Sequence, residues 1–169
     1  MKASLLALGL TAIAAALLVP GLGLGSGDGR KVADAKVLAA VTEPYTGATN
    51  AIRGVPGGGL PWQIGDAQAD LRADGSLKVE VEGLVLATRA TVPPALQGTN
   101  PIAQFKAIVS CAAIVDGAAS TVNVSTPLAA ASKTGDAEIE AQLQLPSPCF
   151  APIVFVTSPG GAWFAATGR

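Results

Sequence analysis

The chain has 169 residues, of which 50% are hydrophobic, 14% charged and 4% aromatic, with a formal net charge of -1, two cysteines and no histidine. The length suits one domain. Without histidine the chain has no imidazole to act as base, proton shuttle or zinc ligand, which excludes Ser-His-Asp and Cys-His catalysis. Its eleven Lys and Arg form no basic cluster, so a nucleic-acid partner is not expected.

The N-terminal segment predicts export. Lys2 precedes an uncharged apolar run over residues 5–19, as in a signal peptide. We therefore expect residues 1–25 to be a signal peptide or, if they are not cleaved, an N-terminal anchor. The protein is then secreted or held in the cell envelope, and it meets a membrane only if this segment is retained. A flexible leader is predicted over residues 26–36 and a single β domain over residues 37–169.

The first part of this domain carries mixed signals. In residues 31–42, Ala, Lys and Leu favour a helix, whereas Val37, Leu38 and Val41 suit a strand; we favour the strand and leave the helix open. Residues 53–61 repeat Gly and Pro too closely for a helix and predict a long loop.

The clearest pattern is a hairpin over residues 67–82. Apolar residues at 67, 69, 71, 77, 79 and 81 alternate with polar ones on both sides of an Asp74-Gly75 turn. This pattern predicts two strands with one face in water.

Further strands are predicted over residues 105–115, 121–125 and 137–145, and on both sides of a turn at residues 158–161. About seven or eight short strands without a convincing helix predict an all-β fold. We expect an antiparallel β-sandwich, Ig-like or jelly-roll-like; a small β-barrel satisfies the same alternation and stays open.

Cys111 and Cys149 are the only cysteines. In an exported chain an isolated pair predicts a disulfide bond. A redox or metal role is disfavoured, because the chain has neither a CxxC motif nor a histidine to complete a zinc site.

Carboxylates give the only hint of catalysis. Glu80 with Glu82, and Glu138 with Glu140, lie about 6.5 Å apart along their strands, which overlaps the spacing of glycosidase acids. They also alternate with apolar residues in the ordinary outward-facing pattern, so no catalytic residue is assigned. Residues 57–59 are glycines but lack the Lys-Ser/Thr pair of a phosphate-binding loop, and no cofactor or metal site is predicted.

A candidate binding rim is predicted from aromatic residues. Trp163 and Phe164 are strand neighbours, so one of them faces outward or lies under another layer. Together with Trp62, Tyr45 and Arg53 around the glycine loop, Trp163 would suit a carbohydrate or an envelope protein.

Two stretches, residues 99–111 and residues 145–156, carry a resemblance. They are similar to a group of small exported proteins of high-GC bacteria that have no assigned function, so the resemblance implies export but no site residues. Residues 74–84 also resemble extracellular β-sandwiches of the chordin-repeat kind, whose histidines this chain lacks.

The sequence therefore predicts an exported, non-catalytic binding or structural module of the cell envelope or extracellular space. One alternative is an exported carboxylate-dependent hydrolase. Another is an adhesin-like subunit that pairs the hairpin of residues 153–166 with a partner strand.

Overall fold

A computed structural model describes residues 29–168; the predicted signal peptide or anchor at residues 1–25 lies outside the described residues. Within this range the chain forms twelve strands and one 3₁₀ turn, Pro94–Leu96. The strands are β1 Lys31–Ala35, β2 Leu38–Ala40, β3 Trp62–Gln63, β4 Asp66–Arg72, β5 Ser76–Glu82, β6 Val85–Leu86, β7 Gln104–Val115, β8 Ala118–Ser125, β9 Ala129–Ala130, β10 Ala137–Gln142, β11 Phe150–Thr157 and β12 Trp163–Thr167.

The strands form two main antiparallel sheets, as in a β-sandwich. One sheet has the order β1-β4-β5-β10, and the other has the order β2-β12-β11-β7-β8, with β9 also paired to β7. A third, two-stranded ribbon joins β3 to β6. Both main sheets end in open edges, so they do not close into a barrel, and the predicted sandwich is confirmed. The strands beyond the expected seven or eight are mainly β2, β3, β6 and β9, which are too short to give a sequence pattern.

The predicted hairpin of residues 67–82 is confirmed as β4 and β5. Their apolar residues are buried, with Leu71 and Val79 fully enclosed, whereas the alternate polar residues lie on the outer face. The turn requires glycine at position 75, where φ is +88°. A Cβ there would also lie 2.0 Å from the carbonyl oxygen of Leu143. Only a residue without a side chain allows this close approach.

The ambiguous segment at residues 31–42 forms strands. β1 pairs with β4, and β2 pairs with β12. The flexible leader predicted over residues 26–36 is therefore corrected for Lys31–Ala35, which is ordered as an edge strand of the four-stranded sheet. Lys31 reinforces this pairing through its ion pair with Asp70 on β4, 2.5 Å from nitrogen to oxygen.

The C-terminal hairpin lies inside its sheet. β11 is paired on one side with β12 and on the other with β7, while β12 is paired with β11 and β2. The hairpin predicted to meet a partner strand therefore has both sides occupied by strands of its own chain. The edges of this sheet are β2 and β8, and β8 pairs with β7 alone in the described part of the chain.

The disulfide bond between Cys111 and Cys149 is formed, with Cα atoms 5.0 Å apart. Cys111 is fully buried on β7, and Cys149 stands directly before β11. The bond thus fixes the segment between β10 and β11 to β7, an inner strand of the larger sheet.

Candidate binding surfaces

The four residues of the predicted binding rim do not form one surface. Trp62 and Trp163 are only 3% and 4% exposed, whereas Tyr45 is 45% exposed. Arg53 is half-buried, and its guanidinium donates a hydrogen bond to the carbonyl oxygen of Ser110 at 3.0 Å. The rim is corrected accordingly: its tryptophans belong to the interior, where burial of their large rings stabilises the fold.

The two tryptophans lie in different aromatic groups. Trp62 stacks on Phe164, which also packs edge-on against Phe105. Trp163 lies near Phe155, with ring centroids 6.0 Å apart. Neither Trp163 nor Phe164 faces outward, since both are only 4% exposed. Gly57 pairs with the backbone of Trp163 beside β12, and the next residue, Gly58, lies against the ring of Phe164.

The four suspected catalytic carboxylates lie on the outer face of the four-stranded sheet. Lys78 stands among three of them, with its ammonium nitrogen 2.5 Å from Glu138, 2.9 Å from Glu80 and 3.2 Å from Glu140. The side chains of Glu138 and Glu140 are more than half exposed. The arrangement is a solvated network of ion pairs rather than a cleft.

The charge state of Glu80 also differs from that of a general acid. Hydrogen bonds from Lys78 and then from Gln68 hold the pKa of Glu80 below its ordinary value of 4.5. A general acid requires a carboxyl group with a raised pKa, as an apolar environment would provide. Glu80 is therefore ionised at neutral pH and accepts hydrogen bonds.

A groove lies beside the disulfide bond. It has a volume of about 590 Å³ and lies at one end of the sandwich. Its polar side chains come from the residue before β1, from the β4–β5 turn and from the last residue of β10 and the segment after it, and its aromatic side chain comes from β11: Arg30, Asp74, Gln142, Gln144 and Phe150. A volume of this size falls within the range of ligand pockets.

The β4–β5 turn beside the groove is held by hydrogen bonds, and several side chains around the groove are exposed. Asp74 accepts hydrogen bonds from the amide and hydroxyl groups of Ser76, at 2.9 and 2.8 Å, which lower its pKa. Gln142 donates a hydrogen bond to the carbonyl oxygen of Asp74. Phe150 is 55% exposed, so part of its ring is accessible. The groove thus offers an aromatic ring, a guanidinium group and amides to a ligand.

The sequence predicts Cys149 as half of a disulfide bond but does not predict this groove. The signal was the aromatic residue directly after the cysteine. Because the bridge holds Cys149 at the sandwich end, its neighbour Phe150 is held at the surface.

Other sites are less developed. Across residues 29–168 no three His, Cys, Asp or Glu residues are grouped to hold a metal ion, and no helix is long and apolar enough to cross a membrane. The hydroxyl of Ser110 and the indole nitrogen of Trp163 are buried without a hydrogen-bond partner. Ser110 lies opposite Ile153 of β11, and Trp163 lies opposite Thr157, four positions further along the same strand. The two groups are therefore about 13 Å apart along the strand and do not converge on one ligand.

No protein-family model, curated protein or solved structure matches the chain.

Proposed function

We propose that the protein is an exported, non-catalytic binding module of the cell envelope or extracellular space. The observation that carries this proposal is the covalent bond between buried Cys111 and the groove segment at Cys149. Stable disulfide bonds are typical of oxidising compartments outside the cytoplasm. The bond supports an exported role together with the apolar N-terminal segment of the sequence.

The groove beside this bond is the proposed ligand site. A flat aromatic ring next to amide and charged groups suits a carbohydrate, because sugars present apolar C–H faces and rings of hydroxyl groups. Phe150 would stack on the sugar, while Gln142, Gln144 and Arg30 would bond its hydroxyls. Most of the groove's polar side chains stand on or beside strand ends, so ligand binding requires little ordering of the protein.

The compartment is tested by the intact mass, without reducing agent, of the protein recovered from medium, membranes and cytoplasm of its own host. We expect a species without its leader, about 2 Da lighter than the reduced form, in the medium or the soluble envelope. A full-length, reduced protein in the cytoplasm would overturn the proposed export. A full-length species in the membrane would show that the protein is anchored there rather than secreted.

Binding is tested with soluble oligosaccharides released from the host cell wall, titrated into the oxidised protein by calorimetry. Phe150→Ala should weaken binding by about tenfold, the change that corresponds to about 1.4 kcal/mol of lost apolar burial. Tyr45→Ala is the matched control, because Tyr45 is similarly exposed but does not line the groove. Equal losses in both variants, or no binding by the wild type, would refute the groove as a carbohydrate site.

A further inference from the structure

Strand β8 is the longer of the two edge strands of the larger sheet, and most of its residues are exposed. Six of its eight residues are exposed and the other two, Val122 and Val124, are half-buried. In the described part of the chain its backbone pairs with β7 alone, over Ile108 to Val115. In an antiparallel strand, alternate residues direct their N–H and C=O groups to the free side. β8 thus presents about 27 Å of edge with unpaired backbone groups.

The other edges of the two sheets carry features that oppose strand pairing. β10 bears Glu138 and Glu140, and β1 bears Lys31 and Asp34. β2 has only three residues. Charges and short length are the usual protection of edge strands against association. β8 has neither feature: its sequence, Ala-Ala-Ser-Thr-Val-Asn-Val-Ser, contains no charge and no proline.

The sequence of β8 is compatible with pairing to a copy of itself. A two-fold axis at Thr121 places Ser120 opposite Val122, Ala119 opposite Asn123 and Ala118 opposite Val124, so every cross-strand pair is neutral. The same operation on β10, with the axis at Ile139, places Glu138 opposite Glu140. Like charges in directly opposed positions destabilise a strand pair. Charge therefore permits self-association through β8 and opposes it through β10.

Apolar side chains are also exposed on β7, directly behind this edge. Ile114 and Val115, at the end of β7 that adjoins β8, are 53% and 43% exposed. The small side chains of β8 offer no anchor for a particular foreign peptide, which would need pockets for its side chains. A second copy needs no such pocket, because its own β8 supplies the same neutral, small residues.

We propose that β8 is the docking edge for a second copy of this chain. The two β8 strands pair antiparallel about a two-fold axis and join the two larger sheets into one continuous sheet. The contact is isologous, so it closes at the dimer and leaves no further β8 edge open. This proposal concerns the free protein and does not depend on export or on a carbohydrate ligand.

The test is sedimentation analysis of the protein as its host produces it, over a wide concentration range. We expect a reversible monomer–dimer equilibrium in the wild type. The variant Ser120→Lys/Thr121→Lys places one charge on each face of β8, near the axis, at two exposed positions. Its dimer dissociation constant should rise by about tenfold or more.

Two comparisons make the test specific. Val37→Lys/Ala39→Lys adds the same charge at exposed positions in and beside β2, on the opposite edge of the same sheet, and should leave the dimer intact. Ser120→Glu/Thr121→Glu should also dimerise more weakly alone, but mixing it with the lysine variant should restore a dimer, because opposite charges then face each other across the axis. Far-ultraviolet circular dichroism confirms that each variant is folded.

Hydrogen exchange gives a readout that needs no substitution. The β8 amides that point away from β7 should become protected as the protein concentration rises. A wild type that stays monomeric would overturn the proposal. The proposal would also be overturned by a lysine variant that dimerises as well as the wild type. Protection of these amides that is independent of concentration would overturn it too, because it would mean that another part of the same chain covers β8.

Discussion

Trp62 stacks on Phe164 with ring centroids 4.0 Å apart and planes 24° from parallel. The stack connects the end of the glycine loop to β12, and Gly58 lies against both rings. A Cβ at position 58 would stand 2.9 Å from a ring carbon of Phe164 and 3.2 Å from the indole nitrogen of Trp62. The loop is therefore glycine-rich at this point because an aromatic pair occupies the space of a side chain.

Substitution Gly58→Ala should destabilise the protein by about 1–3 kcal/mol, the usual cost of an additional carbon in a packed interior. Gly59→Ala is the matched control, because a Cβ there meets no atom within 4 Å. Its free energy of unfolding should stay within about 0.5 kcal/mol of the wild type. Denaturant unfolding measures both, and equal stability of the two variants would contradict the role assigned to the stack.

Loss of the disulfide bond should lower the free energy of unfolding by about 4 kcal/mol, the chain-entropy value for a loop of 38 positions. The variant Cys111→Ala/Cys149→Ala and the reduced wild type should both show this loss in denaturant unfolding. Reducing agent should shift the midpoint of the wild type and leave that of the variant unchanged. An unchanged wild type under full reduction would show that the bridge contributes little.

The carboxylate of Asp136 joins the loop before β10 to the end of β5. It accepts hydrogen bonds from Thr134, from the amide of Gly83 and from Ser132, and these lower its pKa below the ordinary 3.8. Because the folded pKa lies below the unfolded one, its stabilisation is present above pH 3.8 and is lost as the pH falls through the lowered value.

Asp136→Asn should therefore be less stable than the wild type at neutral pH, and the difference should shrink as the pH falls below 3.8. Denaturant unfolding between neutral pH and about pH 2 measures this convergence. Asp116→Asn, in the turn between β7 and β8, is the control for removing one negative charge. A constant difference at every pH would show that Asp136 acts through packing rather than ionisation.

Glu80 should titrate below its ordinary pKa of 4.5 in a carboxyl NMR titration, because the Lys78 ammonium and the Gln68 amide stabilise its charged form. Lys78→Met should move the Glu80 pKa back toward 4.5, and Gln68→Ala should have a smaller effect in the same direction. A pKa well above 4.5 in the wild type would instead favour the carboxylate-dependent hydrolase.

Local pattern predicted much of the fold. The alternation over residues 67–82 gave both strands, their buried face and the Gly75 turn, because burial of one face imposes a period of two on the sequence. It failed at β3, which has only two residues and so cannot show a period. The local pattern also did not predict the groove, because the sides of the groove come from segments far apart in the chain.

The sequence by itself determined the absence of imidazole chemistry, the all-β class, the pairing of the only two cysteines and the positions of the clearest turns, since these depend on composition and on neighbouring residues. Only the tertiary structure decided that Trp62 and Trp163 are interior, that Phe150 borders a groove and that β8 rather than the C-terminal hairpin is a free edge. Strand order and side-chain exposure arise from long-range pairing between sheets, which local periodicity does not encode.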